Sequence, residues 1–205
     1  MNRRVGVVSL LLALLALAAV LAPLPPDWCP QGGVAPFPNV RRLAVLKNRV
    51  ARPEPQDVDR RVTLAALLAP GDDRLRWSEA RAAVVEGYVV GVSRARPESA
   101  NCLVLANTDT HIHVGLRPDA PERERFIVEV TPRLQEWARG LGRDWSAEGL
   151  QASFVGRWCR IEGWLMFDSE HDGEAEHTAP GRMENGRATA WELHPVTTIE
   201  ITSPR

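Results

Sequence analysis

The sequence predicts a mainly β protein, in which a half-buried antiparallel sheet of five strands closes into a Greek-key barrel after an apolar N-terminal segment. Three observations carry that expectation. Five stretches beyond residue 81 hold apolar residues on one face only, which suits a sheet with one buried side better than a parallel sheet covered on both. Their order is three strands, a helical segment and two more strands. Gly87, Gly91 and Gly163 fall inside strands, where tightly coiled barrel strands bend.

Taken in order, the chain opens with Arg3 and Arg4 ahead of an uncharged apolar run from Val5 to Leu24, closed by Pro23, Pro25 and Pro26. A basic start and a long apolar run mark an export signal. The run is close to the roughly 20 residues that cross a bilayer, so an uncleaved anchor is the alternative. Residues 1–26 are therefore read as signal peptide or membrane anchor. The rest is expected outside the cytoplasm, periplasmic or extracytoplasmic, held at the inner membrane if the segment is kept. Cys29, in "PDWCP", lacks the small residues that precede a lipidated cysteine.

Residues 27–81 read as a linker and an N-terminal extension packing on the barrel. Residues 25–40 are rich in Pro and Gly. "RRLAVLKNRVARPEPQDVD" is expected along the outside as a short strand or irregular segment, and "VTLAALLAPG" is an apolar run ended by Pro70 and Gly71.

The barrel domain is assigned to residues 82–205. "AAVVEGYVVGVS" is a Val-rich first strand, and "THIHVGL" alternates cleanly before the turn cluster "RPDAPERER". "FIVEVTP" puts Phe126, Val128 and Val130 on one face. "PRLQEWARGLG" places Leu134, Trp137 and Leu141 at helical spacing, with Pro132 suited to a first turn. "SAEGLQASF" adds a second helical turn capped by Ser146. "RWCRIEGWLMFD" is the fourth strand, and "RATAWELHPVTTIEI" the fifth, bent or interrupted at Pro195. The intervening "SEHDGEAEH" is expected to be a solvated loop, since its spacing fits no calcium-loop template.

Three strands, a helix and two strands resemble the OB-fold over roughly residues 82–203. "WELHPVT" following "GWLMFDSEH" is similar to an uncharacterised family of exported bacterial proteins, a resemblance that implies no activity. An OB-like barrel implies binding of oligomeric ligands on the face of strands two and three.

Composition narrows the partners. The 25 basic and 26 acidic residues give a formal charge of −1, which does not favour sequence-independent nucleic-acid binding. Outside the cytoplasm a disulfide is permitted, and Cys102–Cys159 is the preferred pair, with two buried thiols as the alternative.

The chemistry concentrates in "DTHIHVG". Alternation puts Asp109, His111 and His113 on one side, and the neighbouring strand offers Glu129 outwards. A carboxylate and two imidazoles resemble the start of a catalytic zinc site, so Asp109, His111, His113 and Glu129 form the candidate metal set. Amidohydrolases carry such a His-x-His pair, but their eight-stranded barrel needs about 250 residues, more than follow here. In "WELHPV", Glu192 and His194 share a second outward face, a pairing suited to acid–base work or to an ion pair with Arg160 or Arg187. No nucleophile elbow, phosphate-cradling loop, dinucleotide fingerprint or paired CxxC occurs, which favours a non-enzyme. The leading expectation is an exported binding module without cofactor, its partner an anionic or oligomeric ligand or an envelope protein, with His111, His113, Glu129 and Arg133 at the ligand surface. The alternative is a hydrolase or phosphodiesterase using a divalent metal such as zinc.

Overall fold

The computed structural model describes residues 28–106 and 108–203. The segment 1–26, read as signal or anchor, lies outside the described residues, among which no helix is long and apolar enough to cross a membrane. The elements are α1 (Pro38–Lys47), α2 (Leu64–Leu68), β1 (Ala82–Arg94), β2 (Thr110–Gly115), β3 (Phe126–Val130), α3 (Pro132–Gly140), α4 (Ala147–Phe154), β4 (Trp158–Phe167) and β5 (Trp191–Ile201). The strands close as a barrel in the order β1-β2-β3-β5-β4, with β4 returning to β1. Every pairing is antiparallel except β3 with β5, which is parallel. With its helical insertion between β3 and β4, this is an OB-like five-stranded barrel.

The alternation read from the sequence fills the interior. Ile112, Val114, Phe126, Val128, Val130, Cys159, Ile161, Leu165, Trp191 and Leu193 form one buried cluster with Val85 and Val89. Each such aliphatic contributes about 1.5–3 kcal/mol relative to exposure. Pro195 lies in a register shift opposite Gly163 and Leu165, so β5 bends there without breaking. A Cβ at Gly87 would stand 2.4 Å from Leu64 Cδ2 and 2.5 Å from Val114 Cγ1, so only glycine lets α2 press Leu64 into the barrel. In α3 the buried stripe is Leu134 and Ala138, while the expected core positions Trp137 and Leu141 are exposed. Trp137 instead packs edge-on against Trp145 and carries Arg52 over its ring.

The N-terminal extension departs most from expectation. "PNVRRLAVLK" is a helix, α1, begun by Pro38 and burying Leu43, Ala44 and Lys47 on one face. A disulfide joins Cys29 to Cys102, not Cys102 to Cys159. The reason is geometric: Cys159 points inwards from β4 and is fully buried in the barrel, whereas Cys102 sits in the loop beyond β1, outside the wall. Asn48 Nδ2 donates to Ala100 O at 2.9 Å and to Gln31 O at 3.1 Å. The Arg49 guanidinium donates to the carbonyls of Glu79, Leu165 and His194 and lies over Trp164, so that indole is covered rather than offered for stacking.

The acidic segment after β4 is ordered too. Asp73 accepts from Ala190 N at 2.9 Å, faces His177 Nδ1 at 3.0 Å, and its carbonyl accepts from Trp191 Nε1 at 2.8 Å. Asp168 is buried and holds His171 Nδ1 at 2.6 Å. The expected solvated loop is thus a second wall over the sheet.

Candidate functional site

Between these two walls lies the outer face of β2, β3 and β5. Register brings its polar residues together. His111 stands directly opposite Glu129. The parallel pairing sets Ile127 beside Glu192 and Val128 beside Leu193, so the next outward pair is Glu129 and His194. His111 Nε2 lies 3.1 Å from Glu129 Oε1. His194 Nδ1 lies 3.2 Å from Glu192 Oε2 and 3.3 Å from Glu129 Oε2, and its Nε2 lies 3.6 Å from Asp109 Oδ2. Arg187 pairs with Glu192, and Lys47 Nζ reaches Glu98 Oε2 at 2.6 Å. The two constellations of the sequence, "DTHIHVG" with Glu129 and "WELHPV", are one site joined through Glu129.

The environment is buried and charged. Asp109, Glu192 and His194 have no solvent exposure, and Glu129, Asp168, Arg187 and Lys47 are nearly closed off. Five carboxylates, Glu98, Asp109, Glu129, Asp168 and Glu192, face only two permanent cations, Lys47 and Arg187, so imidazoles supply the remaining balance. Burial alone would favour neutral His111, but the Glu129 carboxylate outweighs it and lifts the imidazole to about 9. His194 is likewise raised against burial by Glu129, Glu192 and Asp109. Burial pushes Glu129 upwards, yet His111 and His194 together hold it well below the usual carboxylate range. Asp109 and Glu192 move up, chiefly through burial and then through neighbouring carboxylates. His113 goes the other way, driven to about 4 by burial and by His111, so it stays neutral.

A cleft of about 730 Å³ gives solvent access to one edge of this network. It lies between α1, the loop after β1, the histidine face of β2 and the 168–187 segment, and His111, His113, Lys47 and Arg187 line it with Arg94, Arg96 and His171. Glu98, Glu170 and Glu174 are the carboxylates on its wall.

The candidate residues therefore divide. Asp109 and His111 each approach Glu129, under cover and not on an open sheet face. His113 lines the cleft and contacts Ser93 Oγ at 3.2 Å, away from the carboxylates. Arg133 does not join the ligand face: its guanidinium donates to Asn48 Oδ1 at 3.2 Å and to the Cys29 carbonyl, tying the extension to the start of α3. Among the arginines around β2 and β3, Arg117 pairs with Asp119 and Glu124, and Arg123 with Glu176. Sequence pattern does not single out Lys47, Glu98 or Asn101, and it offers Asp168 only as one of the acids of the segment after β4. Compared with known proteins, the chain matches no family model, no curated protein and no solved structure.

Proposed function

We propose that this protein is an extracytoplasmic binding module whose ligand is a small, multiply charged anion seated in the cleft over β2. The observation that carries this reading is the lining: four Lys or Arg side chains and three histidines against three carboxylates, in a cleft whose volume suits a small molecule. Arg96 is exposed at its mouth, and Arg94 is tied only to exposed Glu148, a pair worth little in water. His171 is raised by its hydrogen bond to Asp168, which favours its charged form. The Cys29–Cys102 disulfide supports an oxidising compartment, in keeping with the export signal read at residues 1–26.

Calorimetric titration with phosphate, pyrophosphate and citrate tests the reading. The expected result is saturable binding of at least one of them, weakened about tenfold by Arg96→Ala and by added salt. Equal binding by wild type and by Arg96→Ala/His113→Ala, or none at all, overturns it.

A further inference from the structure

Beneath the cleft, Asp109, Glu129 and His194 each present one ligand atom, and these atoms lie within 4.8 Å of one another. All three residues are buried. The far end of each side chain is held in place. Asn101 Nδ2 donates to Asp109 Oδ1 at 3.0 Å, His111 Nε2 sits 3.1 Å from Glu129 Oε1, and Glu192 Oε2 faces His194 Nδ1 while Arg187 holds Glu192 from behind. The near ends make no hydrogen bond: Asp109 Oδ2, Glu129 Oε2 and His194 Nε2 are buried without a hydrogen-bond partner, although Asp109 Oδ2 lies 3.6 Å from His194 Nε2 and Glu129 Oε2 lies 3.3 Å from His194 Nδ1. One such atom costs about 1–3 kcal/mol, and three in one buried cluster call for a group that satisfies them.

A carboxylate behind the imidazole and donors behind each carboxylate is the support that metal ligands receive, because it fixes tautomer and orientation. Two ligands bonded at about 2.1 Å to a common tetrahedral ion stand roughly 3.4 Å apart, and Asp109 Oδ2 to His194 Nε2 is 3.6 Å. A buried water satisfies hydrogen bonds but brings no charge to the two ligand carboxylates, as an ion does. We infer that Asp109, Glu129 and His194 bind one divalent transition ion, zinc or manganese, through two oxygens and one nitrogen. The set keeps two residues of the sequence-based metal quartet and replaces His111 and His113 with His194. His111 becomes a positioning residue behind Glu129. The site stands independently of any anion in the cleft.

The full-length chain, stripped with a chelator and dialysed, is titrated with ZnCl₂ and MnCl₂ by calorimetry, with metal content read by mass spectrometry. The expected result is one equivalent of one ion per chain, retained in His113→Ala/His171→Ala and weakened at least tenfold in Asp109→Asn, which preserves shape. Binding lost in His113→Ala/His171→Ala but kept in Asp109→Asn/His194→Gln overturns the site, since the ion then sits in the cleft. If the latter variant does not fold, ¹⁵N spectra of wild-type histidines decide. One equivalent of ion is expected to shift Nε2 of a single histidine that keeps its Nδ1 proton. No such shift with either ion means water only and overturns the inference.

Discussion

Single side chains in this protein carry consequences out of proportion to their size where the barrel is tightest and where it is most highly charged. Gly87→Ala introduces a Cβ 2.4 Å from Leu64 and 2.5 Å from Val114, both in the packed interior. Overpacking of that kind costs about 1–3 kcal/mol, read as a lower urea midpoint with an unchanged slope. Arg187 is the reverse case. It neutralises Glu192 and lies 3.9 Å from Asp168, and all three are buried. Arg187→Met leaves buried Glu192 without its guanidinium partner, and the expected loss is about 3–5 kcal/mol. Substituting Arg60, which is exposed and outside this network, should shift the midpoint by no more than about 0.5 kcal/mol.

The elements show what the sequence revealed and what it hid. All five strands and the helix after β3 were legible, because each strand alternates and each turn cluster contains its breakers. The outward direction of His111, His113 and Glu129 was legible for the same reason, since a period of two assigns every side chain to a face. That those residues would be buried was not. Local pattern cannot tell a solvated polar face from one roofed by a distant segment, and the sequence of α1 and of residues 169–186 reads as an irregular extension and a solvated loop. The roof has its own tests. Reducing Cys29–Cys102 removes a cross-link over a separation of 73 residues, with an expected cost of about 4 kcal/mol. Amide exchange should accelerate first in α1 if the bond's role is to hold that helix.

The second wall should respond to pH. The Asp168 carboxyl is depressed by His171 and Lys47 against burial, so its contribution is present above its ordinary value of 3.8 and is lost as pH falls through the lower folded value. His171 is raised by Asp168, so its contribution is full below 6.5 and is lost as pH rises through the higher folded value. The pair is therefore strongest between those limits. Amides near residues 169–177 should open more readily at pH 9 than at pH 5, after correction for intrinsic exchange, and His171→Ala should abolish the difference. Equal opening at both values means that Asp73 and His177 alone hold the wall.

Considered whole, the molecule is an OB-like five-stranded barrel whose outer β2–β3–β5 face is enclosed by α1 and the segment after β4. Enclosure turns a strip of alternating polar residues into a buried, mutually supported cluster with one solvent-facing edge. A nearly neutral formal charge coexists with that concentration because basic and acidic residues are almost equal in number over the whole chain, 25 against 26. The most direct test is ¹H–¹⁵N shift mapping of the oxidised full-length chain during titration with pyrophosphate, chosen for its compact multiple charge. The account predicts perturbations confined to α1, residues 94–100, His111 and His113 on β2, and residues 168–187. Perturbations centred on the opposite side of the barrel, around β1 and β4, or none at saturating anion, would contradict it.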